Sequence, residues 1–168
     1  LALFLSLPLR CFDLSLMCSL RAYIKIINKE WIMSDTEIPA GYQLHDRRSG
    51  LTDPWQPIYQ RPHNDGLSLG LRAGLAHVNS REFVHGGLIS ALADNAMGLS
   101  CAARMSDIRG LVTVSMTLDY LGVARQGQWL EVRAEVLRTG GSLCYAAARI
   151  YADEQLCASA SSVFKVAR

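Results

Sequence analysis

The sequence predicts an α+β domain in which a curved antiparallel sheet of five or six strands wraps one long central helix. Three observations lead there. Residues 88–104 contain no proline, and apolar side chains surround the helical wheel with only Ser90, Asp94, Asn95 and Ser100 as polar exceptions before Arg104, a pattern that belongs inside a structure. Apolar and polar residues alternate with period two in several segments on either side of that helix, the signature of half-buried strands. A chain of 168 residues that is 50% hydrophobic can bury one good core and is short for two. A single helix beside several strands is covered on every side only if the sheet curls around it.

Residues 1–32 are expected as an N-terminal extension outside the domain, with a docking helix or a targeting segment as the alternatives. Pro8, Arg10, Asp13 and Arg21 leave no apolar run of the ~20 residues that a membrane span needs. No cationic start or small-residue cleavage site marks a secretory signal, and Met33 opens a polar stretch. The domain is expected over 33–168. Gly41, Gly50, Pro54, Pro57, Pro62 and the turn Asn64-Asp65-Gly66 punctuate residues 41–66 so often that loop with a short helix is expected there. Residues 67–78 place Leu67, Leu69, Leu71, Ala73 and Leu75 on one face of a first strand, with Gly70 and Gly74 as bulges or points of close approach. After the helix, alternation over 112–120, 130–137, 143–151 and 156–166 predicts a four-strand antiparallel meander, with Gly140-Gly141 as one of its turns.

Charge excludes some functions. Lysine and arginine exceed the acids by only two and form no run of five, so neither nucleic acid nor an anionic membrane is an expected partner. Charged residues make up 19%, below the ~25% usual for soluble domains, which points to surface covered in an oligomer. Five cysteines in an odd set, with no CxxC pair and no histidine at zinc spacing, read as reduced thiols of a cytoplasmic protein; no metal or cofactor is expected.

The chemistry concentrates between Asn79 and Asn95. Gly86-Gly87 lets the backbone turn sharply into the helix and leaves its first N–H groups facing outward, a geometry suited to an oxyanion. Asp94 stands two turns further on in an otherwise apolar helix, where a carboxylate is costly unless it is paired structurally or faces a wet cleft. Gly87 and Asp94 are seven residues apart, roughly 10 Å along the axis at 1.5 Å per residue, too far for both to touch one carbonyl. Two helices antiparallel across a two-fold axis would bring each Asp94 to the other's glycine turn, giving shared sites.

Asn79, then His85-Gly86-Gly87 six residues later, then Asp94 nine after the histidine, followed by Val112-Thr113-Val114, Tyr120, Gly127 and Gly140, resemble the hotdog-fold acyl-CoA thioesterases of the phenylacetic-acid-degradation (PaaI-like) type. The resemblance covers residues 67–166. It differs from the family pattern at Glu82, where members carry glycine, and at Val123, where they often carry proline. It implies hydrolysis of acyl-CoA or aryl-CoA by a homodimer or homotetramer, with a non-catalytic acyl-CoA binding or sensing protein on the same fold as the alternative. It also implies Asp94 as general base or nucleophile, the Gly86 N–H, helped by Gly87, as oxyanion donor, and Asn79 as the residue that positions water or the carbonyl. His85 would shape the turn or meet the thioester, and Thr113 would steady the attacking water. Asn95, Arg104 and Arg109 are expected beside the substrate, with Arg125, Arg138, Lys165 and Arg168 as further cations for CoA phosphates. Two readings stay open beside these: His85 as a helix-start histidine bonded to backbone, and Asn79 as a turn residue. A GxSxG elbow at Gly66-Leu-Ser68-Leu-Gly70 lies in a strand pattern with no helix after it, which argues against a serine hydrolase. Cys101, Trp55, Tyr59 and Met97 are expected in packing.

Overall fold

Among the described residues, seven strands and one α-helix follow one another as β1 (Gln43–Leu44), β2 (Tyr59–His63), β3 (Gly66–Arg72), α1 (Gly86–Ala103), β4 (Gly110–Tyr120), β5 (Trp129–Thr139), β6 (Leu143–Ala152) and β7 (Gln155–Ala167). The computed structural model describes residues 38–168, so the expectation for residues 1–32 lies outside the described residues. All strands join one antiparallel sheet in the order β1-β2-β3-β5-β6-β7-β4, and α1 packs on its inner face against β3 to β7. This is the expected curved sheet around a central helix, with six full strands and a seventh, β1, of two residues.

Three local expectations change. The final four strands are not a meander: β5, β6 and β7 are consecutive neighbours, but β4 pairs with β7 at the far edge, while β3 pairs with β5. The chain leaves the far end of α1 beyond the place where β7 will lie, and the later hairpins fill the gap. Residues 41–66 hold more than loop. Asp53–Trp55 is a single 3-10 turn around Pro54, and Tyr59–His63 pairs with β3 through the turn at Asn64-Asp65. The first strand stops at Arg72, because Leu75–His77 folds into a 3-10 turn that leaves Leu75 exposed.

The core lies between sheet and helix. Leu69 and Leu71 from β3, Leu130 and Val132 from β5, Ile150 from β6 and Phe164 from β7 bury against Leu92, Ala93, Ala96 and Met97 of α1. Met97, Trp55 and Tyr59 pack as expected, Tyr59 beside the Trp129 ring. Cys101, Cys144 and Cys157 are buried free thiols, and burial pushes the Cys101 thiol up to about 12, so it offers no thiolate nucleophile near neutral pH. No helix among the described residues is long and apolar enough to cross a membrane.

On the outer face the buried carboxylate of Glu131 accepts from Tyr42 Oη at 2.7 Å, Arg61 at 2.8 Å and Arg133 at 2.8 Å. Burial alone would raise this carboxyl, but the three donors outweigh it and hold it below its ordinary value. The cluster ties β2 and β5 to the segment before β1.

His77 is buried, and its Nδ1 accepts the Gly74 N–H at 2.8 Å. Burial pushes its pKa below the ordinary histidine value, so the unfolded chain takes up a proton before the folded one does. The stability that His77 contributes is therefore complete above about pH 6.5 and declines as the pH falls below it. Urea midpoints at pH 7.5 and 5.5 should show this loss in the native protein and a smaller one in His77→Asn, whose amide oxygen can still accept from Gly74. Equal losses in the two proteins would refute the assignment.

Candidate active site

The turn into α1 is built by His85. As N-cap it accepts the Gly87 N–H on Nδ1 at 2.9 Å, while its carbonyl accepts the Leu88 N–H at 3.0 Å. The Gly86 N–H is left as the first-turn donor with no acceptor among the described residues, as the geometry of a helix start allows. An imidazole that accepts at Nδ1 carries its proton on Nε2, so exposed His85 offers a second donor in addition to the Gly86 N–H. The Gly87 N–H, expected to help at the oxyanion, is engaged by His85 instead.

Asn79 shapes the loop before the turn. Its Oδ1 accepts the N–H groups of Arg81 at 2.9 Å and Phe83 at 3.3 Å, and its backbone N–H donates to the Phe83 carbonyl at 2.8 Å. The loop is pinned to the segment after β4 by the bond from the Val84 N–H to the Ala124 carbonyl, 2.8 Å. Glu82 adopts φ 61°, a left-handed conformation that favours glycine, and this accounts for the glycine of the family pattern at that position. Glu82→Gly should therefore stabilise the fold by about 0.5–1 kcal/mol in urea unfolding, and a destabilised variant would contradict this reading.

Asp94 is half-buried midway along α1, and its Oδ1 accepts from Thr113 Oγ1 at 2.7 Å. No cation forms an ion pair with it among the described residues. Thr113 reaches it because of a β-bulge at Val114. Strict alternation put Thr113 on the polar face of its strand, opposite Met116. In the structure Thr113 pairs with Phe164 and Met116 with Ser162, so both point toward the helix although they are three positions apart. Val112 and Val114 lose the expected inward face and stand 61% and 59% exposed along the outermost strand.

The remaining expected residues scatter. Asn95 donates from Nδ2 to the Ala91 carbonyl at 2.8 Å, within its own helix. Arg104 caps the other end of α1, ~27 Å from Gly86 by the rise of an 18-residue helix, and its guanidinium donates to the Asn64 carbonyl. Arg109 is exposed just before β4. Arg125 stacks 4.6 Å over the Phe83 ring beside the Asn79 loop. Ser68 is buried within β3, in a hairpin and not at a strand-to-helix turn, so no nucleophile elbow forms. One contact was not foreseen: Tyr120, at the end of β4, donates to the Gly86 carbonyl at 2.8 Å and stands 3.0 Å from Ser90 Oγ. Its place in the family pattern was the available signal.

Residues 82–159 match the family model described as the thioesterase superfamily, a span that holds the helix turn, Asp94 and Thr113. Over 128 residues, 76% of this chain and 96% of the other, the sequence is 40% identical to a Pseudomonas aeruginosa protein named as a candidate esterase. The chain belongs to the thioesterase superfamily. Solved structures of superfamily members share its fold. A Ralstonia eutropha protein named as a candidate thioesterase related to phenylacetic acid degradation superposes with a TM-score of 0.64 at 22% identity, covering 72% of this chain and 93% of that one. A Streptococcus pneumoniae protein named as a hypothetical thioesterase, solved with coenzyme A, superposes with a TM-score of 0.61 at 20% identity over 67% and 90%.

Proposed function

We propose that this thioesterase hydrolyses acyl-CoA or aryl-CoA to the free acid and CoA. The observation that carries the reading is the Asp94 carboxylate, half-buried on α1, paired with no cation among the described residues and held at one oxygen by Thr113. That bond orients the carboxylate and leaves Oδ2 free. As general base, Oδ2 takes a proton from water while the water oxygen bonds to the thioester carbon; as nucleophile, it bonds to that carbon itself. In either route the carbonyl oxygen gains charge, and the Gly86 N–H with His85 Nε2–H supplies donors for it. Collapse breaks the C–S bond, and the CoA thiolate takes up a proton; in the nucleophilic route water then attacks the Asp94 carboxyl carbon of the acyl–Asp94 anhydride, breaks its bond to the bridging oxygen and releases the acid. Single turnover in 18O-labelled water separates the routes, since only nucleophilic attack leaves label in the Asp94 carboxylate. CoA release from a panel of short, long and aromatic acyl-CoAs tests the activity; a native protein inactive on all of them is a binding or sensing protein and refutes the proposal.

Gly86 and Asp94 are eight residues apart, ~12 Å along α1, so one copy does not bring both to a single carbonyl. We propose a homodimer or homotetramer in which one copy's Asp94 faces another copy's Gly86. The free edge of β4, with Val112 and Val114 exposed, and the small residues Ala91, Gly98 and Ala102 on the open side of α1 support a second copy there. Asp94→Asn and Gly86→Pro, the second removing the N–H at the first helical position while its ring displaces the Tyr120 hydroxyl, should each be inactive alone. Co-expressed, they should recover about a quarter of the native rate, the share expected of one intact site per mixed dimer. No recovery, or a monomer by light scattering, would overturn the shared site.

A further inference from the structure

We propose that Tyr120 is a positioning residue that sets the hydrogen-bonding state of His85 at the oxyanion turn; this rests on the thioesterase reading and goes beyond it by adding a residue that touches no substrate. The Tyr120 hydroxyl has one proton, which it donates to the Gly86 carbonyl at 2.8 Å, so Ser90 Oγ, 3.0 Å away, is the donor to Tyr120 Oη. The Gly86 carbonyl belongs to the same peptide group as the Gly87 N–H, and that N–H donates to His85 Nδ1 at 2.9 Å. The relay runs from Ser90 to Tyr120, across one peptide plane, to His85. A donor on the carbonyl polarises the amide and strengthens its N–H as a donor, and a stronger bond at Nδ1 favours the imidazole form with its proton on Nε2. That proton is the second donor of the turn, in addition to the Gly86 N–H, which has no acceptor among the described residues.

Position 86 carries an independent trace of the same contact. A Cβ there would stand 2.8 Å from Tyr120 Oη and 3.0 Å from Cζ, closer than side chains pack, so the hydroxyl occupies the space that any residue but glycine would fill. Alanine at 86 would keep the N–H and displace the tyrosine. Glycine is therefore required here by the approach of Tyr120, in addition to the ease with which it turns.

Tyr120→Phe, Gly86→Ala and the double variant test the relay. Tyr120→Phe should lower kcat about five- to twentyfold with KM within twofold of the native value, and Ser90→Ala should lower kcat less. Gly86→Ala should lose about as much as Tyr120→Phe, and the double variant no more than the larger single loss. Full kcat in Tyr120→Phe, or multiplying losses in the double variant, would overturn the proposal while leaving the hydrolase reading intact. Nitrogen-15 NMR of His85 gives a readout that needs no turnover. The native ring should be protonated at Nε2, and Tyr120→Phe should shift it toward a mixture of tautomers. An unchanged ring would sink the relay even if the panel showed no hydrolysis, which is the separate failure of the thioesterase reading.

Discussion

Asp94→Asn should reduce kcat for thioester hydrolysis by roughly 10²- to 10⁴-fold while leaving the fold and the thermal midpoint close to native. The amide oxygen of asparagine can still accept from Thr113 Oγ1, so the cross-tie between α1 and β4 at this point survives in shape. What disappears is the group able to take a proton from water or attack the carbon. Thr113→Val should act differently, leaving the carboxylate in place but free to rotate, with a loss of about tenfold that falls mainly on kcat. A full native rate in Asp94→Asn would refute the proposed mechanism. An Asp94→Asn protein that is inactive and also unfolded would leave Thr113→Val, which retains the carboxylate, as the measurement that decides.

Gly70→Ala should destabilise the protein by about 2–3 kcal/mol, the upper part of the range for forced overpacking. A Cβ at this position would lie 2.3 Å from the Trp129 ring, and the ring has little room to yield. Trp129 is 4% exposed, with the Tyr42 ring edge-on at a centroid distance of 5.0 Å and the Tyr59 ring at 5.9 Å. Moving it would open the contact that closes the outer face over β3 and β5. The expected result is a lower urea midpoint with an unchanged slope, and a variant within 0.5 kcal/mol of native would mean that the tryptophan relaxes freely. Hydrolysis should survive at temperatures where the variant stays folded, since Gly70 faces away from α1.

Much of this architecture is written in local pattern. The apolar wheel of residues 88–104 marks α1 to within two residues at its start, and period-two alternation finds β3 and β5 to β7 because their side chains alternate between the helix and the outer surface. Gly70 within a strand pattern reads as a bulge or a point of close approach, and the structure makes it the second. Residues 59–63 were read as loop because Pro57 and Pro62 mask a strand. Its pairing with β3 supplies what its own sequence does not advertise.

The site divides in the same way. His85-Gly86-Gly87 and Asp94 were legible because a turn into a helix and a carboxylate in an apolar helix are local anomalies, each visible within a few residues. The structure adds the partners. Which first-turn N–H stays free depends on the rotamer of His85; whether Asn79 Oδ1 is available depends on how its loop closes; whether Tyr120 meets Gly86 depends on a strand 34 residues away. The bulge at Val114 is the clearest case. Within β4 the alternation is unbroken and assigns Thr113 outward, yet the register with β7 slips by one residue and turns Thr113 toward Asp94. Sequence alone singled out the candidate residues, because their types and spacing are properties of a single chain segment. Only the tertiary structure decided which of them face one another, because a β-bulge, an edge position and a hydrogen-bond partner are relations between segments brought together by packing.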